Sequence, residues 1–285
     1  MNVCGLGRAG CNLADCFSKF PQYNTYKFDV GIEGSNCFAL PRCFSHEEYE
    51  KKCPDFSAEL SHLSGELIFV LCGAGKVSGC VLSLLEQLTD VSVTILYVEP
   101  DCSLLSETEA TQETIVKSIL QEYARSGIFE RIYLISNSSI EKSIGDIPIM
   151  GYYDALNQAI VNTFHMVNVF KNSDPVLGTF TEPHEIARIS TLGVVDIEKD
   201  EEKWFFDLQL PRDVVYYYGI GESDLKTDGS LFKKITNYTK GKIKENINVS
   251  YGVYETAYEQ KYCYCVQHSS VVQSYITELD DQDIG

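Results

Sequence analysis

Basic residues are scarce in this chain of 285 residues. Lysine and arginine together number 23, against 41 aspartates and glutamates, which gives a formal net charge of −18. Phosphate charge dominates nucleic-acid binding, and anionic lipids attract clustered cations. The charge balance therefore argues against DNA, RNA or an anionic membrane surface as a direct partner.

Long apolar runs are also absent. The longest, such as Leu67 to Cys72 and Val91 to Val98, have the length of strands and fall well short of the ~20 residues that a membrane helix needs. The chain opens on a glycine-rich turn and shows no signal-peptide pattern. The sequence thus predicts a cytoplasmic protein with no insertion into a membrane.

Paired cysteine motifs are missing as well. None of the 11 cysteines forms a C-x-x-C pair, and the five histidines show no metal-ligand spacing. A chain of this length and regular patterning does not need disulfide staples. We interpret the cysteines as small core residues in a reducing compartment, with metal ligation as the alternative; no protein-built metal site is predicted.

Two glycine-rich turns each lie where an apolar strand gives way to a helical pattern. Their sequences are GLGRAGCN, from Gly5 to Asn12, and GAGKVSG, from Gly73 to Gly79. A phosphate chain needs converging main-chain N–H groups without Cβ atoms in the way, and a helix N-terminus adds a positive dipole end. The two turns therefore predict a nucleotide-binding α/β domain.

Strand and helix patterns alternate over the first 150 residues. Apolar strands are predicted at 2–5, 26–32, 66–72, 91–98 and 131–136, and helices at 10–20, 80–88 and 107–126. This alternation predicts a doubly wound, mostly parallel sheet with its ligand at the carboxyl ends of the strands. The segment 34–63 is irregular except for a helix-like piece around 46–52.

A long helix at 151–172 carries apolar side chains on almost all faces, which predicts burial between two layers. Asp174-Pro175 ends it. Apolar segments at 192–197, 204–210, 214–220, 247–254 and 262–266, with a helix near 231–243, predict a smaller α+β domain. The predicted organisation is a nucleotide-binding domain at 1–150, a central helix at 151–173, an α+β domain at 174–275 and an acidic tail at 276–285.

These motifs, in this order, resemble those of the tubulin/FtsZ superfamily. GLGRAGCN looks like its first phosphate loop, and GAGKVSG looks like its signature loop, usually GGGTGTG or GGGTGSG, with Ala74, Lys76 and Val77 as departures. IYLISN ends on Asn137, as does the family's nucleotide-contacting strand, and Tyr153 and Asn157 match the aromatic-x-x-x-Asn that opens its central helix. The resemblance implies that GTP or GDP is bound by Gly7, Arg8, Ala9, Gly10, Cys11, Asn12, Gly73, Ala74, Gly75, Lys76, Val77, Ser78, Gly79, Asn137, Tyr153 and Asn157.

The spacing of Tyr153 and Asn157 suits this role physically. Residues at i and i+4 share a helix face, so an aromatic ring can stack on a purine while an amide reads the guanine edge. The Lys76 ammonium could replace donors lost from the signature loop. The resemblance also implies Mg²⁺, held mainly by phosphate oxygens and water rather than by side chains.

In the family, a loop after the central helix enters the nucleotide site of the next subunit and brings carboxylates to the attacking water. The corresponding residues here are Glu182 and Glu185, with Asp196 and Glu198 as alternatives. The resemblance therefore implies a GTPase that polymerises head to tail with copies of itself into cytoskeletal filaments. Its compact size and acidic C-terminus favour the small phage- or plasmid-type tubulin-like proteins.

Two other functions stay open at this point. The altered signature loop is compatible with a structural or regulatory relative that has lost nucleotide binding. GLGRAG also fits the dinucleotide fingerprint GxGxxG, for which Asp29 or Glu33 would contact the ribose of NAD in an oxidoreductase. Individual residues also have plain structural interpretations: Tyr153 as a core aromatic, Lys76 as a solvated side chain, and Glu182 and Glu185 as an exposed helix start.

Overall fold

The computed structural model describes residues 1–274, and the predicted acidic tail at 276–285 lies outside them. Within these residues, twelve strands form one sheet. The strands are β1 (Asn2–Leu6), β2 (Asn24–Val30), β3 (Cys37–Leu40), β4 (Gly65–Leu71), β5 (Val91–Glu99), β6 (Arg131–Ser136), β7 (Leu177–Gly178), β8 (Ile189–Asp196), β9 (Glu201–Trp204), β10 (Asp213–Gly221), β11 (Asn248–Thr256) and β12 (Tyr262–Ser269). The helices are α1 (Gly7–Phe17), α2 (His46–Lys51), α3 (Ser57–Leu60), α4 (Val81–Glu86), α5 (Glu107–Arg125), α6 (Asn137–Ile144), α7 (Tyr152–Lys171), α8 (Glu222–Thr227) and α9 (Leu231–Lys242), with 3₁₀ turns at Lys76–Cys80 and Cys102–Leu104.

The first six strands are parallel and lie in the order β3-β2-β1-β4-β5-β6. Their central members are apolar on both faces, as the continuous hydrophobic run of β4 illustrates. Leu67 and Phe69 pack into a core with α4 and α5, whereas Ile68 and Val70 pack into a second core with α1 and α7. Helices thus cover both faces, which confirms the predicted doubly wound α/β fold.

The sheet continues without a break into the second half of the chain. Strand β8 pairs in parallel with β6 through Ile132↔Ile189, and β12, β10 and β11 follow it in the mixed order β8-β12-β10-β11. Helix α9 covers the outer face of this part through Leu231 and Ile235. The strands predicted at 192–197, 214–220, 247–254 and 262–266 and the helix near 231–243 are therefore present, and the separation of this region from the first 150 residues stays a prediction.

Helix α7 joins the two halves. It has 20 residues and is about 30 Å long. Its buried side chains, which include Leu156, Phe164 and Phe170, share one core with α1, with the parallel strands and with Tyr217 of β10. Burial between layers is what its apolar surface predicted.

The structure corrects the predicted boundaries in three places. Helix α1 begins at Gly7, directly after β1, and not at residue 10. The segment 205–210 is not a strand, because β9 ends at Trp204 and the following apolar residues Phe205 and Leu208 are buried as single anchors in a loop. The segment predicted as irregular holds the short strand β3 as well as α2 and α3.

Candidate functional site

A cavity of about 720 Å³ opens at the carboxyl ends of β1 and β4. These two parallel strands are neighbours, and the chain proceeds from them to helices on opposite faces of the sheet. Such a switch point is where open α/β sheets bind ligands. The cavity is lined by Leu6, Gly7, Arg8, Ala9, Asn12, Leu13, Asp29, Cys72, Gly75, Val77, Ser78, Val98, Asn137, Ile149, Gly151, Tyr152, Tyr153, Asp154 and Asn157.

The first glycine turn supplies one wall of this cavity through Gly7, Arg8, Ala9 and Asn12. No side chain caps the start of α1 at Leu6, and its first turn holds no acidic residue. The first N–H groups of the helix therefore lack side-chain partners, and its positive end is not neutralised by a carboxylate. This wall is suited to an anion.

Gly10 and Cys11 of the same turn do not line the cavity. A Cβ atom on Gly10 would collide with the carbonyl oxygen of Val70, so the missing side chain allows α1 to approach β4. The buried Cys11 thiol donates to the carbonyl oxygen of Gly5 at 3.5 Å, and burial raises its pKa to about 12. Both residues shape the loop from behind.

The second glycine turn supplies the facing wall through Gly75, Val77 and Ser78. Gly75 is exposed, and a Cβ atom there would meet nothing within 4 Å. Lys76 is also exposed but is not among the lining residues. Gly75, Val77 and Ser78, rather than the Lys76 side chain, form this wall.

The remaining residues of the second turn, Gly73, Ala74 and Gly79, are buried and do not line the cavity. A side chain on Gly73 would collide with the hydroxyl of Tyr97, and one on Gly79 would collide with the carbonyl oxygen of His46. These two glycines are required for close packing behind the turn.

Asn137, Tyr153 and Asn157 line the third side of the cavity. Asn137 is the first residue of α6, directly after β6, while Tyr153 and Asn157 lie in the first two turns of α7. The Tyr153 side chain is 65% exposed, which excludes its interpretation as a core aromatic. An accessible ring and an amide one turn apart thus face the same cavity.

Several lining residues were not predicted: Leu6, Leu13, Cys72, Val98, Ile149, Gly151, Tyr152 and Asp154. Cys72 and Val98 lie at or next to the carboxyl ends of β4 and β5, so their strand-end positions were an available signal. Ile149 and Gly151 belong to an irregular connection with no motif. Asp29 at the end of β2, named above as an NAD contact, does line the cavity, whereas Glu33 does not.

Glu182 and Glu185 lie elsewhere in the molecule. Both are exposed on the connection between α7 and β8, and neither lines the cavity. The cavity contacts the first turns of α7, and this connection begins after its other end, about 30 Å away. One chain therefore does not bring these carboxylates to its own cavity.

The connection that carries Glu182 and Glu185 is anchored to the sheet at two points. The buried carboxylate of Asp213 accepts a hydrogen bond from the backbone N–H of His184 at 3.2 Å. Arg131 donates to the carbonyl oxygen of Ala187 at 2.8 Å. These anchors hold the main chain while the two glutamates face solvent.

Arg131 is itself held by His268, whose Nδ1 lies 2.6 Å away and also 2.8 Å from the Ser190 hydroxyl. His268 is fully buried. Burial, with the positive charges of Arg131 and Lys171, holds the pKa of His268 well below its usual range. The Nδ1 of a neutral imidazole can accept a hydrogen bond from Arg131. This bond helps to hold the guanidinium against the carbonyl oxygen of Ala187 in the connection.

The alternative carboxylates Asp196 and Glu198 do not share this position. Asp196 accepts the backbone N–H groups of Glu198 and Lys199 at 3.1 and 3.2 Å, which lowers its pKa. Glu198 lines a different cavity beside Tyr218 and α9. Asp196 is thus engaged in closing the turn after β8.

Residues 1–274 contain no group of three or more histidine, cysteine or acidic side chains placed to hold a metal ion. Within the same residues, no helix has the length and apolarity to cross a membrane.

Together, the fold and the cavity define an α/β protein with a candidate ligand site at a switch point, lined by two glycine-rich turns and the start of α7. No protein-family model and no curated protein sequence matches the chain. Its likeness to solved structures is extensive, however, and shows that it shares the fold of TubZ, FtsZ and CetZ proteins.

Three solved structures illustrate the likeness. TubZ of Bacillus thuringiensis serovar israelensis, in a GTPγS-form protofilament, is similar over 94% of this chain and 86% of its own, with 14% identity and a TM-score of 0.68. FtsZ of M. jannaschii, an empty dimer, covers 94% and 87% at 9% identity and a TM-score of 0.67. CetZ2 of Haloferax volcanii, in a GTPγS-bound protofilament, covers 94% and 92% at 14% identity and a TM-score of 0.66.

Proposed function

We propose that this protein binds GTP in the cavity described above and polymerises head to tail into cytoskeletal filaments in the cytoplasm, hydrolysing GTP at the contact between successive subunits. One observation carries the proposal. The cavity lies at the start of α7, whereas the exposed carboxylates of Glu182 and Glu185 follow the other end of this helix. Glu182 and Glu185 can meet a cavity only in a second copy. An interface of this head-to-tail kind does not close on itself and generates filaments.

The cavity suits a guanine nucleotide residue by residue. The N–H groups of Gly7 to Ala9 and of Gly75 to Val77 would hold the phosphates, with Arg8 as a nearby cation. Tyr153 would stack on the base, and Asn157, Asn137 and Asn12 offer amides to the base and ribose. TubZ and CetZ2, similar in fold, carry GTPγS in their protofilaments.

Hydrolysis would require Glu182 and Glu185 of the following subunit to orient and polarise the attacking water. Mg²⁺ would neutralise charge on the phosphates. Because no cluster of three potential ligand side chains occurs within residues 1–274, we propose that phosphate oxygens and water supply most of its ligands.

A second candidate is a tubulin-like module that has lost nucleotide binding. The observation in its favour is that Lys76 does not line the cavity, so its ammonium is not placed to replace the donors missing from the second turn. Such a module would have the same fold and the same exposed carboxylates, but its cavity would hold no nucleotide.

The first experiment is to identify nucleotide released from the protein after purification. Guanine nucleotide supports the proposal, NAD would support the dinucleotide alternative suggested by Asp29, and none would support the module without nucleotide. The second is to measure GTP turnover per subunit against protein concentration. We expect a steep rise, because each active site needs two copies; a constant turnover would contradict assembly-dependent hydrolysis.

A further inference from the structure

Helix α2 gives the irregular segment after β3 a specific position. The imidazole Nε2 of His46, its first residue, lies 3.1 Å from the hydroxyl oxygen of Ser78. Ser78 is only 2% exposed and lines the nucleotide cavity. A side chain from outside both glycine turns thus reaches the second one.

Ser78 ties this turn together. Its hydroxyl oxygen lies 2.7 Å from the carbonyl oxygen of Gly73 and 2.7 Å from that of Gly75. A hydroxyl has one hydrogen to donate, and these two carbonyl oxygens share it, so Ser78 has none left for the imidazole. In the contact with His46 the imidazole must then carry a hydrogen on Nε2 and donate it to Ser78.

The protonation of His46 does not disturb this arrangement. Burial lowers its pKa, and Glu47 and Glu50 on its own helix oppose that effect. On the facing 3₁₀ turn the group that meets the imidazole is the neutral Ser78 hydroxyl. Both the neutral tautomer and the imidazolium have hydrogen on Nε2, so the bond to Ser78 is retained in either state.

Main-chain contacts fix α2 against the same turn. The carbonyl oxygen of His46 lies where a side chain on Gly79 would be. The buried Cys80 thiol donates to the carbonyl oxygen of Tyr49 at 3.2 Å. The imidazole is therefore held at a set distance from the turn by its own backbone.

We propose that His46 is a positioning residue of the nucleotide site. By donating to Ser78 it keeps the carbonyl groups of Gly73 and Gly75 turned toward the Ser78 hydroxyl, so that the N–H groups of the turn stay available to the phosphates. The consequence for GTP rests on the proposed function, whereas the effect on the turn does not.

The turn itself is tested by hydrogen–deuterium exchange on the full chain without nucleotide, following peptides that cover 72–80. His46→Leu keeps similar bulk and loses the donor, and His46→Gln keeps an N–H donor at a similar reach. One hydrogen bond corresponds to about a tenfold change in local opening. We expect exchange about tenfold faster in His46→Leu and within about threefold of wild type in His46→Gln.

His62→Leu is the matched control, because His62 bonds Tyr26 and the Glu59 carbonyl, outside the turn. It should leave peptides 72–80 unchanged. His46→Met, which also lacks an N–H donor, replaces His46→Leu if that variant does not fold. Ser78→Ala removes the bonds to the Gly73 and Gly75 carbonyls as well, so its exchange should be at least as fast as that of His46→Leu. Unchanged exchange in the variant that lacks the donor, or equally fast exchange in His46→Gln, overturns the proposal.

The two proposals fail differently. If the wild type binds GTP, we expect about tenfold weaker binding in His46→Leu and recovery in His46→Gln. Faster exchange in His46→Leu with no GTP binding by the wild type would retain the role of His46 and reject the proposed function. GTP binding by the wild type, together with unchanged exchange in His46→Leu, would reject the role of His46 and retain GTP binding in the proposed function.

Discussion

The hydroxyl of Tyr97 occupies the position that a side chain on Gly73 would need. The same hydroxyl donates to the carboxylate of Glu113 at 3.0 Å, and both Tyr97 and Glu113 are fully buried. Gly73, at the start of the second glycine turn, therefore packs directly against a phenol that Glu113 holds in place. The absence of a side chain at position 73 is a packing requirement, independent of any ligand.

Gly73→Ala should consequently destabilise the protein. Overpacking of a closed site costs about 1–3 kcal/mol, and we expect a loss of that size in the free energy of unfolding measured with urea. Gly75→Ala is the matched control, because a Cβ atom at that position meets nothing within 4 Å. Gly75→Ala should change stability by less than about 0.5 kcal/mol. Equal losses in both variants would contradict the role of Tyr97.

Tyr153→Leu should weaken nucleotide binding without weakening the fold, because this side chain is 65% exposed at the cavity mouth. Stacking of a base on an aromatic ring contributes about 1–3 kcal/mol, so we expect GTP affinity to fall about tenfold. Tyr123→Leu, a change to another partly exposed tyrosine, 37% exposed on α5, is the control. Equilibrium titration with a fluorescent GTP analogue measures both.

Asn157→Ala should reduce discrimination between GTP and ATP more than it reduces thermal stability. An amide that reads the guanine edge loses this preference on truncation, and we expect the ratio of the two affinities to fall about tenfold. Competition titration with both nucleotides gives the ratio. An unchanged ratio would assign the base contact to Asn12 or Asn137.

Glu182→Gln with Glu185→Gln should abolish hydrolysis and retain GTP binding, since both glutamates lie outside the cavity of their own chain. At a GTP concentration too low for a Tyr153→Leu, Asn157→Ala variant to bind, mixing the two variants should give turnover that neither shows alone. In a random head-to-tail polymer of equal parts, about a quarter of the contacts pair an intact cavity with intact carboxylates. Normal hydrolysis by the glutamine variant would place the catalytic groups elsewhere.

Stability should fall as the pH drops below about 6.5, the usual pKa of an unfolded histidine. The pKa of buried His268 lies well below that value in the folded protein, so the unfolded chain binds more protons in this range. Stability is then fully present above 6.5 and is lost toward lower pH, by at most about 1.4 kcal/mol per pH unit for one such group. His46 and His165 contribute in the same direction.

Urea unfolding between pH 7 and pH 5 measures the slope. His268→Asn retains an acceptor for Arg131 and Ser190 and does not titrate, so its slope should be smaller than that of the wild type. His62→Asn, which replaces an exposed histidine, is the control. An equal slope in wild type and His268→Asn would contradict a buried neutral imidazole.

Much of the parallel half of the fold could be predicted from the sequence, because buried parallel strands such as β4 and β6 are continuous apolar runs between helical patterns. Strand β3, at the edge of the sheet, is also apolar, but its run of four residues is too short to distinguish a strand from an apolar stretch of loop. The strand predicted at 204–210 was wrong because Phe205 and Leu208 are buried apolar residues of a loop, and their apolar pattern resembles that of a strand.

The site could be predicted in part. The spacing of Tyr153 and Asn157 placed both on one helix face, and the structure brings them to the cavity with Asn137. A run of glycines, by contrast, does not reveal which members approach a ligand and which approach another part of the protein. Gly75 faces the cavity, whereas Gly10 and Gly73 face Val70 and Tyr97.

The difference between glycines that face the cavity and glycines that face the protein decides which substitutions the two turns can accept. The shape of the two cavity walls that the glycine turns form depends on Gly10, Gly73 and Gly79, which touch only other parts of the protein. Substitutions on the accessible side, at Arg8 or Lys76, leave the backbone path intact. The two turns can therefore exchange their outward-facing residues without a change in the course of the main chain, whereas a side chain at any of the three inward-facing glycines would displace it.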